Sequence, residues 1–168
     1  MNAKLLVFLA AALPLFAAET IVPEGVDERL VRAFSEADAS YEVDAEGDFS
    51  LEVVVGREKR QRVRVSGPTQ LGAGGVETRR ISSVAYLDAR RPDPDALALV
   101  LADRPAKGNR DVRRWEVGKT EEGLHRVAFV REVAGGASPQ YLMEAIEEVA
   151  VRAHRGALRL SPGGEPAR

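Results

Sequence analysis

Phe49, Leu51, Val53 and Val55 fall at every second position, with Ser50 and Glu52 between them, and this alternation constrains the fold more than any other stretch. A period of two turns one face of an extended segment toward a core and the other toward water. Gly56 to Arg60 supplies a turn, and Val63 and Val65 carry the pattern into a further strand that stops at Gly67-Pro68. Upstream, Tyr41 and Val43 alternate ahead of Asp44-Ala45-Glu46-Gly47-Asp48, a run of turn-forming residues. Three strands with such short connections predict an antiparallel meander.

The rest of the chain alternates between two periods. Val26, Leu30, Val31, Phe34 and Ala37 recur at helical spacing through Asp38. After a flexible loop from Pro68 to Gly75, residues Val76 to Leu87 form a fourth strand, with Ile81, Ser83, Ala85 and Leu87 on one face and Val84 and Tyr86 on the other. Asp93-Pro94 opens a middle helix, because an aspartate accepts from free backbone amides and proline suits the first helical position. Its uniformly apolar run from Ala96 to Ala102 predicts a largely buried helix that ends by Pro105 and Gly108. Val112 to Val117 and Leu124 to Val133 predict a hairpin, and Ser138-Pro139 opens a last helix with Leu142, Ile146, Val149 and Ala153 as its apolar stripe. Gly156 falls where a C-terminal cap is expected, ahead of a Pro/Gly-rich, disordered tail.

The first eighteen residues carry an address. Lys4 precedes an unbroken apolar run from Leu5 to Phe16, followed by Ala17 and Ala18 and then a polar Glu19-Thr20. That is the three-part pattern of a secretory signal, and the run is short of the roughly 20 apolar residues of a membrane-spanning helix. The expected organisation is a signal over 1–18, one α+β domain over 19–156 and a tail over 157–168, in an exported protein with no integral membrane span after cleavage. The formal charge of −2 offers no bulk attraction for nucleic acid or anionic lipid. The absence of cysteine excludes disulfides, thiol nucleophiles and thiolate metal ligands, so packing alone must hold the fold.

The order helix, four strands, helix, two strands, helix, with Trp115-Glu116-Val117 beginning the late hairpin, Asn109 before it and an amphipathic terminal helix, resembles the YbjN-type family, which shares the fold of type III secretion chaperones. The resemblance spans Val26 to Arg155. It implies an α+β fold of order α-β-β-β-β-α-β-β-α that presents a sheet and helices for protein contacts, and it brings no catalytic residues. Many family members carry only a provisional description as sensory regulators. The resemblance also implies a homodimer through the sheet edge or the middle helix, here Ala96 to Ala102. The signal departs from the family pattern, since a chaperone that serves a cytosolic apparatus has no use for its own export.

Chemistry-bearing groups are few. His125 and His154 stand in no metal-spaced pattern, and no Gly-x-Ser-x-Gly nucleophile elbow occurs. Asp44, Glu46 and Asp48 offer oxygens to calcium but lack the late bidentate glutamate of a calcium loop, which favours a polar turn. Gly72-Ala73-Gly74-Gly75 leads toward a strand instead of a helix and so makes a poor phosphate cradle. Cations are concentrated at Arg57, Lys59, Arg60, Arg62 and Arg64, with Arg79 and Arg80 on the neighbouring strand. Arg57, Arg60, Arg62, Arg64, Arg79 and Arg80 are therefore the candidate residues for an anion or an acidic partner, unless Glu52, Glu58 and Glu77 neutralise them across the strands. Without exposed aromatics for stacking, nucleic acid is not an expected ligand.

These readings favour an exported, non-enzymatic protein-interaction module, with no cofactor, metal or catalytic residue expected. The alternative is a small-ligand or anion-binding module that uses the basic sheet face or a pocket between sheet and helices. An enzyme built on Asp44, Asp48 or His125 would require these side chains to converge in a cleft.

Overall fold

The computed structural model describes residues 26–72, 75–103 and 111–161. The signal, Asn109 and the tail beyond residue 161 lie outside them. The element order is α1 (Glu28–Glu36), β1 (Tyr41–Val43), β2 (Phe49–Val55), β3 (Lys59–Val65), β4 (Gln70–Leu71), β5 (Glu77–Asp88), α2 (Pro94–Ala102), β6 (Val112–Lys119), β7 (His125–Ala134) and α3 (Pro139–Leu160). This is the α+β class expected from the sequence. The short β4, which pairs with β5, lies within the segment expected to be a flexible loop.

All the strand pairings are antiparallel, and the main sheet runs β1-β2-β3-β5-β7-β6. The meander forms because Phe49 faces Val65 and Leu51 faces Val63, a register that puts the apolar set of both strands on one side. The helices cover that side. α3 reaches β2, β3, β5 and β7, and α1 and α2 pack against α3. Phe34 of α1 meets Tyr41 and Phe49 with ring centroids 5.3 Å apart in each case. Trp115 of β6 stands edge-on to Phe129 of β7 at 5.1 Å. No helix of the described residues is long and apolar enough to cross a membrane.

Three expectations are corrected. β5 carries a bulge between Val84 and Tyr86. The extra residue shifts the alternation, so Tyr86 joins Ala85 in the core cluster while Leu87 reaches the opposite, open face at 36% exposure. α3 runs through Gly156 to Leu160, so the first residues of the expected disordered tail over 157–168 are helical, with Ala157 and Leu160 buried. Gly156 is therefore no cap: a Cβ there would stand 2.6 Å from Trp115 Cη2, so the glycine admits the indole against the helix. Finally, α2 is not largely buried. Val100 is its one buried residue, while Leu99 stands 64% exposed and Leu101 39%.

β3 and β5 are in register at Arg64↔Ser82 and Val65↔Ile81, and the Ser66 amide donates to the Arg80 carbonyl at 2.9 Å just beyond. Past Ser82 the β3–β5 ladder stops and side chains replace it. Gln61 Nε2 donates to Ser83 Oγ at 2.8 Å and to the Val84 carbonyl at 2.9 Å, and Ser83 Oγ donates to the Arg62 carbonyl at 2.7 Å. Gln61 and Ser83 are both buried, where unmade hydrogen bonds would cost about 1–3 kcal/mol each.

Candidate functional site

Alternation along β3 sends Arg60, Arg62 and Arg64 to the face of the sheet that the helices leave open, beside Ser50, Glu52 and Val54 of β2. Each has a carboxylate partner. Arg60 meets Glu52 at 3.0 Å and Arg62 meets Glu42 at 3.4 Å. Arg64 is held more firmly, by Asp44 at 2.7 Å and Asp48 at 2.8 Å. Neutralisation across the sheet thus comes from Glu42, Glu52 and the acidic turn, and among the described residues no ion pair joins the arginines to Glu58 or Glu77. Arg57 sits apart in the turn between β2 and β3.

Arg79 and Arg80 part company. Arg80 stays on the open face and pairs with Glu116 of β6, which also receives Arg114. Arg114 reaches Glu132 at 2.7 Å, so four charges form one network beside the buried Ala128 and Val130. The Arg80 hydrogen bond, partly opposed by burial, holds the Glu116 carboxyl below its ordinary value. Arg79 points to the helix side and is buried. Its guanidinium donates to the carbonyls of Ser66 and Gly67 and to Asp27, so it belongs to no exposed basic stripe.

Where β3 and β5 diverge, the open face is indented by a cleft of about 420 Å³. Its floor is Gln61 and Ser83, and its walls bring together Arg62, Arg64, Arg126, Ser50, Ser82 and Leu87. Sequence reasoning named Arg62 and Arg64 as part of a basic sheet face but missed Arg126, which lies 62 positions beyond Arg64 and meets Leu87 through the β5–β7 register. Alternation with the core residues Val127 and Phe129 sets the face Arg126 takes, but only the strand order brings it beside Arg62 and Arg64.

The acidic turn is already committed. Asp44 Oδ1 accepts from the amides of Glu46 and Asp48, Asp48 Oδ1 accepts from the Gly67 amide, and the second oxygens of both aspartates take Arg64. That is the plain turn reading, with the carboxylates neutralised by an arginine. His125 opens β7, three strands from β2 in the sheet. At about 4.8 Å per strand, it does not converge with Asp44 or Asp48, so the catalytic arrangement considered for these three is not formed. His154 lies within α3, and its Nδ1 is buried without a hydrogen-bond partner. Burial and then Lys59 hold its pKa below the usual value, which favours the neutral ring. The described residues contain no group of three potential ligands placed to hold a metal ion.

On the helix side, sequence reasoning also missed a buried polar cluster. Arg131 contacts Asp111 at 2.7 Å and Glu148 at 2.7 Å, and Tyr141 donates to the same Asp111 oxygen at 2.6 Å. Asp111 and Arg131 are 7% and 4% exposed at their side chains. These groups tie the start of β6 to β7 and α3.

No protein-family model matches the chain, and no curated protein sequence matches it. Among solved structures it is similar to the crystal structure of YbjN from E. coli, at 11% identity and a TM-score of 0.45. That similarity covers 83% of this chain and 95% of the other.

Proposed function

We propose that this chain is an exported, non-enzymatic protein-interaction module, and that α2 is its main contact element. The carrying observation is the placement of the segment Ala96 to Ala102. A helix that is apolar on every side is ordinarily buried, yet Ala98, Leu99, Leu101 and Ala102 are exposed and Val100 alone is buried. Exposed apolar surface of this kind marks contact sites. The Lys4 to Ala18 pattern supports action outside the cytoplasm.

A second copy of this chain is the partner to test first, by light scattering on the protein and on a Leu99→Glu/Leu101→Glu variant. The reading expects an assembly, as a homodimer or with a protein from the exported fraction, that the variant loses while remaining folded. A wild-type chain that stays monomeric, and whose captured partners are all retained by the variant, would overturn it.

A further inference from the structure

We propose that the cleft at the divergence of β3 and β5 binds a small organic anion, a carboxylate or phosphate head carried on a short apolar body. Three guanidiniums line it, and no carboxylate is among its lining residues. They differ in how far they are committed. Arg64 is fixed by the aspartates of the acidic turn at 2.7 and 2.8 Å. Arg62 has a longer pair to Glu42, with both side chains mostly exposed at 64% and 77%. Such a pair contributes little and is readily exchanged for a better anion.

Arg126 differs from both. It is half-buried and has no ion pair among the described residues, whereas Arg60, Arg62, Arg64 and Arg80 on the same face all have one. A guanidinium in a cleft presents a planar fork of donors suited to two oxygens of a carboxylate or phosphate. The hydroxyls of Ser50 and Ser82 add donors on the same lining.

The cleft also favours an apolar body behind the charged head. Val84 and Leu87 form part of its lining, and a volume near 420 Å³ lies in the range of about 300–1,000 Å³ usual for small-molecule sites. The floor is closed by side chains where the backbone ladder has stopped, through Gln61 donating to Ser83 and Val84 and Ser83 donating to Arg62. The bulge in β5 between Val84 and Tyr86 lies beside this floor, and bulges recur beside functional sites.

The test is calorimetric titration of the full chain with n-butyl phosphate, pentanoate and inorganic phosphate. Saturable binding of butyl phosphate or pentanoate is expected, with butyl phosphate about tenfold tighter than inorganic phosphate because of its apolar body. Whichever of the two organic probes binds more tightly identifies the head group. Arg126→Gln should weaken binding about tenfold or more while its thermal melt matches wild type, and Arg126→Lys, which keeps charge without the fork, should fall between them. Arg57→Gln, in the turn outside the cleft, should bind as wild type does. The assignment is overturned by no saturable binding of either organic probe, or by Arg126→Gln binding within about twofold of wild type.

Discussion

The Asp27 carboxylate caps α1 through one oxygen and holds the buried Arg79 guanidinium through the other. Oδ1 accepts from the Arg29 amide at 2.9 Å, while Oδ2 receives Arg79 from β5, 52 positions along the chain. The Arg29 side chain contributes most to lowering the Asp27 pKa, burial opposes it and Arg79 adds to the lowering, leaving the pKa at about 2 against an ordinary 3.8.

A depressed carboxylate pKa gives stability that is fully present above the unfolded value and is lost as pH falls through the folded one. For Asp27 that window runs from near pH 4 down to about 2, and the contribution is roughly 2 kcal/mol. Asp27→Asn keeps a competent cap but removes the charge facing Arg79. Urea unfolding should show it about 2 kcal/mol less stable at pH 7, with the difference closing by pH 2. An unchanged gap at low pH would show that the pair is not what titrates.

Gly156→Ala sets two effects against each other. Alanine favours a helix over glycine by about 1 kcal/mol, but its Cβ would stand 2.6 Å from Trp115 and 3.2 Å from Ala85. Overpacking a rigid ring costs about 1–3 kcal/mol, and we expect the steric cost to win. The variant should be destabilised, with a shifted emission from Trp115, the one tryptophan of the chain. A stabilised variant would mean that the indole moves aside freely.

Gly67→Ala should be more damaging. Its Cβ would fall 1.9 Å from the Gly47 carbonyl oxygen, a backbone atom that no rotamer change removes. The β1–β2 turn would have to separate from the end of β3 and break the Gly67 amide bond to Asp48. A loss of about 3 kcal/mol in chemical denaturation is expected.

Within α2, neighbouring residues should behave oppositely. Val100→Ala should cost about 2 kcal/mol, since it leaves a void in the core. Leu99→Glu should change the unfolding stability of the monomer, read at a protein concentration below association, by no more than about 0.5 kcal/mol, because its side chain meets water within the monomer. Denaturation curves of the two single variants check this directly.

The strands were legible where one face is apolar and the other charged. Phe49 to Val55 and Val63 to Val65 admit a single register, since a slip by one residue would bury arginine. The Asp93 and Ser138 caps were legible because their chemistry is local. The misplaced features depend on distant partners. Arg79 and Arg80 are the same residue type side by side, and what separates them is Asp27 on one face and Glu116 on the other. Val84-Ala85-Tyr86-Leu87 is apolar throughout, so nothing in it announces where an extra residue enters β5. Gly156 reads as a cap from its neighbours alone, and what it serves is Trp115, 41 positions earlier, packed against it. Of the candidate cations, Arg62 and Arg64 were readable from β3, whereas Arg126 required the register of three strands.

The short ladder that joins β3 to β5, extended by side-chain hydrogen bonds from Gln61, Ser83 and Arg79, divides the sheet into two leaves. One leaf is β1-β2-β3 and the other β5-β7-β6, with α3 in contact with both. Cooperative units of a fold follow contact density, so each leaf is expected to open as its own unit. Amide protons of Phe49 to Val65 would then exchange together, on a different clock from those of β7.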